Sequence, residues 1–273
     1  MAGIIETFLS DPIKHCFNLV QKPEYFNYHR LVTQLRFKPR YSQFSVHLHG
    51  WRLSLPDAAS FLSTYKAIFL DQIYAFAFEG NSPRILDLGA NVGLSVLFFK
   101  LIYPKAKISA FEPDPVIFSY LEHNIRGNGY QDVELFKKAA WIEDTQLQFK
   151  SDGADAGHLV SEGKTGNVQV EAIDLDCFLR ERKYDFIKMD IEGAEKVVLP
   201  ACRDYLEDLR YLFVEFHSCL EEKQGLADII NLLADSGFRF SLQRVWGSST
   251  PLLRQEVNRN GFDSQLNIHA WHE

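Results

Sequence analysis

Cysteine is scarce in this 273-residue chain: four residues, Cys16, Cys177, Cys202 and Cys219, with no CxxC pair among them. Such spacing excludes a disulfide framework and a thiolate zinc site, and it fits the reduced thiols of a cytoplasmic protein. Long apolar runs are missing too. No segment approaches the ~20 residues of a membrane span, and the opening MAGIIETFLSDPIKH lacks the basic-then-apolar order of a secretory signal. Positive charge is short as well. The 29 Lys and Arg against 36 Asp and Glu leave a net charge of −7, so no global basic field exists to hold DNA or RNA. Internal repeats and low-complexity tracts are absent. What is present is 46% apolar residues, enough for a substantial core. The expectation is a soluble, cytoplasmic α/β protein with no nucleic-acid partner and no membrane span; the sequence does not indicate its oligomeric state.

From Arg84 to about Val245, short β-rich runs alternate with helical patterns, which predicts a mostly parallel sheet covered on both faces. The runs are RILDLG, AKISAFEP, VELFKKAAW, YDFIKMD and RYLFVEFH. One helix is expected from about Gly93 to Tyr103. Another opens with Asp114 as N-cap and Pro115 at the first helical position, and stops at Gly127–Gly129. IEDTQLQFK and the glycine-rich stretch after it look like a hairpin and loop inserted before VQVEAIDLD. FRFSLQRVW and QLNIHAWHE have no helix between them and should pair antiparallel at the far edge. Ahead of Arg84, short helices to about residue 40, a hairpin turning near Gly50 and an amphipathic helix from Ala58 to Phe78 read as a cap leaning over the ligand edge of the sheet. Residues 1–57 are taken as the cap segment and 58–273 as the main domain.

RILDLGANVGLS raises the question of the ligand. Glycines directly after a strand mean that something needs the backbone close. A dinucleotide fingerprint places glycines at its first, third and sixth positions, whereas here Asn91 and Leu94 occupy the third and sixth. The spacing suits S-adenosylmethionine (SAM) instead, whose amino-acid tail favours an acidic strand end, Asp87, and free N–H groups, expected from Gly89 to Gly93. Glu112, ending AKISAFE, is placed to accept both ribose hydroxyls. A sheet with one reversed late strand is also the arrangement of Rossmann-like methyltransferases, by analogy of fold.

DLGANVGLS, FEPDPVIFSYLEHNI, KKAAW, IKMDIEGAE and VEFH, in that order, resemble the FkbM family of SAM-dependent O-methyltransferases over about Ala58 to Val245. The resemblance implies a Rossmann-like class I methyltransferase sheet, SAM as donor, and a hydroxyl acceptor on a sugar, glycoconjugate or polyketide. It also implies SAM binding by Asp87, Gly89, Asn91, Gly93 and Glu112. With the neighbouring Ala90, Ser95 and Pro113 these make up the expected cofactor site. Asp190, Glu192 and His217 would lie at the transfer site. Pro200, in the helix after IEGAE, should bend or end it. Two alternatives stand beside this reading: a non-catalytic SAM-binding subunit and a nicotinamide-dependent oxidoreductase of similar fold.

Methyl transfer from a sulfonium requires alignment of donor and acceptor, and an alcohol acceptor must also lose a proton. The strand ends that should converge carry Asp87, then Lys188, Asp190 and Glu192, then Glu215 and His217. His217 is the expected base, since an unperturbed imidazole near ~6.5 is largely neutral at cellular pH, with Asp190 or Glu215 assisting. A divalent metal held by Asp190, Glu215 and His217 is the less favoured alternative. Lys188 reads as a structural ion pair, and Glu192 as either a site residue or a helix cap. His47 and His49 read as hairpin packing and Arg36–Arg40 as a solvated loop. Tyr65 belongs to an aromatic core stripe and is within reach of the SAM tail.

Overall fold

A computed structural model describes residues 22–151, 157–159, 166–258 and 261–273. Helix α1 (Pro23–Leu35) precedes a hairpin of β1 (Phe44–Leu48) and β2 (Trp51–Leu55), which turns through His49 and Gly50 at φ of 51° and 83°. Alternation in FSVHL and WRLSL buries Phe44, Val46, Leu48, Trp51, Leu53 and Leu55 on one face. Asp57 caps α2 (Ala58–Tyr65) by accepting from the Ser60 N–H at 2.9 Å. The helix runs into one π-helical turn, Lys66–Leu70, and ends there, short of the Phe78 expected from its periodicity. Gln72 at φ 55° turns the chain away, and Tyr74 and Phe76 instead pack on the sheet, each 4.7 Å from its partner ring, Phe213 and Phe186.

The central unit then follows: β3 (Arg84–Leu88), α3 (Leu94–Ile102), β4 (Lys107–Phe111), α4 (Pro115–Gly127) and β5 (Glu134–Phe136). Asp114 caps α4 as expected, accepting from the Val116 and Ile117 N–H groups. VELFKKAAW is not one strand. It breaks at Lys137–Lys138, and its second part, β6 (Ala139–Trp141), joins β7 (Thr145–Lys150), β8 (His158–Leu159) and β9 (Val168–Asp174) in a separate sheet ordered β6-β9-β7-β8. This is the inserted hairpin; most of its glycine-rich loop lies outside the described residues. After α5 (Leu175–Arg180) come β10 (Phe186–Met189), α6 (Glu195–Ala201), α7 (Arg203–Leu206), β11 (Tyr211–Cys219), α8 (Leu226–Asp235), β12 (Arg239–Gly247) and β13 (Phe262–Trp271). Pro200 falls in the last turn of α6, which ends one residue later.

The large sheet is ordered β12-β13-β11-β10-β3-β4-β5, and β13 runs antiparallel to both its neighbours while the other pairings are parallel. This is the expected Rossmann-like topology with one reversed late strand. One face, with Ile85, Ile108, Phe186 and Phe213, shares a continuous core with α3, α4 and the cap; the other, with Leu86, Ile187, Met189 and Val214, packs on α5, α6 and α8. The β1–β2 hairpin lies along the flank of α4, not over the strand ends. Asn124 of α4 donates to the Ser54 carbonyl at 3.0 Å and accepts from the Ser54 N–H at 2.8 Å. Hairpin burial is the reason: Leu53 and Leu55 are fully enclosed in the core that also holds Leu121 and Ile125 of α4. Among the described residues no helix is long and apolar enough to cross a membrane, and Cys177, Cys202 and Cys219 are free thiols.

Candidate active site

The β3–α3 loop is built around backbone the side chains must not obstruct. Gly89, Asn91 and Gly93 have φ of 83°, 49° and 93°, a region in which glycine is unstrained and asparagine tolerated. A Cβ on Gly89 would run into the Asp190 carbonyl, whose carbon would be 3.0 Å away; on Gly93 it would meet Leu121 Cδ1 at 2.9 Å. The glycines therefore let β3 and β10 end side by side and let α3 sit on α4. The expectation of free N–H groups here is corrected: the loop's N–H groups are already occupied. Gly89 and Ala90 donate to the Phe111 carbonyl, Gly93 to the Ala90 carbonyl, Asn91 to Glu112 Oε2 at 3.0 Å and Val92 to Asn91 Oδ1 at 2.7 Å. Buried backbone demands such partners.

Asp87 sits behind this loop, fully enclosed. Ser95 Oγ donates to its Oδ2 at 2.5 Å, and Lys188 Nζ lies 3.2 Å from its Oδ1. Lys188 also donates to the Gly89 carbonyl at 2.5 Å and lies 3.5 Å from Asp190 Oδ2. Burial works against the Lys188 charge, but Asp87 and Asp190 outweigh it and push its pKa up. It is the structural ion pair that the sequence suggested.

Two cavities open on this ground. The first, about 680 Å³, has Glu112, Pro113 and Asp114 on one wall and Ala139, Ala140 and Phe149 on another. Apolar walls with a carboxylate at one end fit a nucleoside. Glu112 accepts from the Asp114 N–H through Oε1 at 2.9 Å and from Asn91 through Oε2; burial nonetheless raises its pKa to about 7. The second, about 1210 Å³, is lined by Ser63, Thr64, Tyr74, Glu215, Gln265 and Asn267, with Ala90 and Ser95 at its floor. Gly89, Asn91, Asp190 and Glu192 border both.

At that junction three carboxylates surround one imidazole. His217 Nδ1 lies 3.2 Å from Glu195 Oε1, and its Nε2 is 3.6 Å from Glu192 Oε2 and 3.8 Å from Glu215 Oε1. The ring is enclosed, packed on Phe262, and faces neither cavity directly. Burial opposes a charge on it, but Glu195, Glu192 and Glu215 override that and hold its pKa well above the ordinary value. The expectation of a near-unperturbed, largely neutral His217 is thus corrected. Burial and Asp190 raise Glu215 to about 7, and burial raises Glu192 well above the carboxylate range against the pull of His217.

Glu195, which sequence reasoning passed over, is the residue that organises this cluster. Fully buried, it accepts from the Ile191 and Gly193 N–H groups as well as meeting His217. It thereby takes the loop-capping role that Glu192 was one candidate for, while Glu192, at φ 55°, turns to the cavity. The last position of IEGAE was the available signal. Tyr65 does not reach either cavity: its hydroxyl donates to Glu24 Oε2 at 2.6 Å. His49 stacks on Phe69 beside Glu24, and Arg40 pairs with buried Asp57 at 2.8 Å.

Residues 87–240 match the model of the methyltransferase FkbM domain. The chain belongs to the FkbM methyltransferase family. It is 30% identical over 208 residues to methyltransferase 1 of Beauveria bassiana, covering 66% of this chain and 82% of that one. It is 27% identical over 179 residues to the 2-O-methyltransferase NoeI of Sinorhizobium fredii, covering 57% and 72%. It is 27% identical over 211 residues to the 31-O-demethyl-FK506 methyltransferase FkbM of Streptomyces tacrolimicus, covering 64% and 80%. As an FkbM member it is a SAM-dependent methyltransferase, and the FkbM match spans the loop, Glu112 and the carboxylate cluster alike.

Proposed function

We propose that the protein transfers a methyl group to a hydroxyl of a sugar, glycoconjugate or polyketide-like acceptor. The observation that carries this is the shared border of the two cavities at Asp190 and Glu192. A nucleoside in the first cavity and an acceptor in the second would meet beside carboxylates, which is what a hydroxyl losing its proton needs and an amine or thiol needs less. SAM supplies an electrophilic methyl. Glu112 would hold its ribose, with Pro113, Ala139, Ala140 and Phe149 around the base and the Gly89–Gly93 loop, Ser95 and Asp87 behind its tail. Asp87 acts by fixing the loop through Lys188 and Ser95. Ser63, Thr64, Gln265 and Asn267 give the second cavity hydroxyl and amide groups suited to a polyhydroxylated acceptor. The names 2-O-methyltransferase and 31-O-demethyl-FK506 methyltransferase among its relatives favour oxygen as the atom methylated.

The rival readings have less support. A binding-only subunit leaves the cavity-facing Asp190, Glu192 and Glu215 without use, and a nicotinamide enzyme would need glycine where this chain has Asn91 and Leu94. Incubating the protein and methyl-labelled SAM with a cell extract, then locating the label by mass spectrometry, tests the proposal. Label on an acceptor oxygen is expected, lost in Asp190→Asn while SAM binding persists. Label on nitrogen, sulfur or carbon would overturn it.

A further inference from the structure

We infer that Asp190, Glu192 and His217 form a binding site for one divalent cation of the Mn²⁺ or Mg²⁺ class where the two cavities meet, with Glu195 orienting the imidazole. The role of the ion rests on the transfer reading above; its binding does not.

Each of the three residues offers one ligand atom, and these atoms lie within 4.8 Å of one another. Two of those side chains end in buried atoms without a hydrogen-bond partner, His217 Nε2 and Glu192 Oε2. Their separation of 3.6 Å is too long for a hydrogen bond. It lies just beyond the span across an ion instead: ligand bonds of about 2.0–2.2 Å put neighbouring donor atoms about 3–3.5 Å apart. His217 itself is only 2% exposed, so no bulk water serves its Nε2.

The rest of the imidazole is arranged as in a ligated one. Nδ1 faces Glu195 at 3.2 Å, and Glu195 is pinned by the Ile191 and Gly193 N–H groups. Binding of the ion would displace the Nε2 proton; the carboxylate on the distal nitrogen then fixes the tautomer and aims the freed lone pair at the ion. The Asp190 side chain is 25% exposed and the Glu192 side chain 20%, whereas the His217 side chain is fully enclosed. The ion would therefore be held from the buried side and open toward the cavities, with coordination positions left for an acceptor oxygen whose pKa it would lower. Two carboxylates and one imidazole favour an oxygen-preferring cation that accepts nitrogen, of which Mn²⁺ is the best probe. The set differs from the one read off the strand ends. Glu192 replaces Glu215, because its left-handed backbone swings its carboxylate to Nε2, and Glu215 stands beside the group at 3.8 Å.

The test is a titration of Mn²⁺ into chelator-stripped full-length protein saturated with S-adenosylhomocysteine, followed by calorimetry and by electron paramagnetic resonance of the ion. One saturable site per chain is expected. Glu192→Gln and His217→Gln should each weaken it more than about tenfold, and Glu195→Gln by about 10–100-fold although it touches no ion. Glu192→Gln alters a cavity-facing side chain, so it keeps the test open if His217→Gln does not fold. No saturable Mn²⁺ binding, or equal affinity in Glu192→Gln, overturns the site. If S-adenosylhomocysteine binds and Mn²⁺ does not, the cation site falls and the transfer reading stands. If a folded protein binds Mn²⁺ but no S-adenosylhomocysteine, the reverse holds.

Discussion

Glu112→Gln should move stability and cofactor affinity in opposite directions. The Glu112 carboxyl is buried at the end of β4, and its pKa is raised from 4.5 to about 7 because burial disfavours its charge more than the Asp114 and Asn91 N–H groups favour it. That distance is equivalent to about 3 kcal/mol. The sign follows from the direction. With the folded-state pKa raised, the stability this group contributes is fully present below about pH 4.5 and is lost as pH rises through about 7. Glutamine has no such loss. The unfolding free energy of the variant relative to the natural protein should therefore swing by about 3 kcal/mol in the variant's favour between about pH 4.5 and pH 8. A constant offset is superimposed, since an amide NH₂ would face one of the two backbone N–H groups. Affinity for SAM should go the other way. On the proposed ribose role the ionised carboxylate accepts two hydroxyls, and losing one charged hydrogen bond of ~1.5–3 kcal/mol weakens binding more than tenfold at about pH 8. The natural protein should also lose affinity as the pH falls below about 7, and the variant should not. Urea unfolding at several pH values and calorimetry with SAM measure both. A relative stability that is flat with pH would refute the burial argument, and unchanged affinity in the folded variant would refute the ribose role.

Two further substitutions probe the scaffold. Gly89→Ala places a Cβ against the Asp190 carbonyl at φ 83°, so left-handed strain of ~1–2 kcal/mol adds to overpacking of ~1–3 kcal/mol; a denaturation midpoint equal to that of the natural protein would show that the loop yields freely. Asn124→Ala removes the amide that pairs with both backbone groups of Ser54 and with the Val92 carbonyl at 2.9 Å. Leaving those groups unpaired should cost roughly 2–4 kcal/mol in a thermal melt, and a loss under about 1 kcal/mol would mean that water replaces the amide.

The alternation of strands and helices, the antiparallel pairing of the two late strands, the Asp114 cap and the place of the glycine loop were legible because each rests on local chemistry: alternation, a missing crossover helix, a capping residue, a turn that needs positive φ. The length of α2 was not. Its apolar spacing continues to Phe76, but whether Tyr74 and Phe76 prolong a helix or cover a sheet depends on Phe213 and Phe186, far along the chain. The same limit applied at the site. Asp190, Glu192 and His217 were legible as neighbours from the ends of β10 and β11. That His217 would be enclosed and held charged was not, because it takes Glu195, Glu192 and Glu215 arriving together in three dimensions. Nor does a loop motif reveal that its N–H groups are already occupied, since the Phe111 carbonyl that takes two of them comes from the adjacent strand.

The reversal of β13 divides the labour of the sheet between distant parts of the chain. Gln265 and Asn267 stand opposite His217 and Glu215 across the β11–β13 ladder and face the second cavity, while the first is framed by residues from Gly89 to Gly157 together with Asp190, Ile191 and Glu192. In evolutionary terms the two recognition tasks are separable. Changes in the β12–β13 hairpin alter the hydrogen-bonding surface of the second cavity, the proposed acceptor side, without touching Glu112, Phe149 or the glycine loop. On the proposed reading, one donor site can thus be retained unchanged while descendants of this chain diverge in the acceptor they methylate.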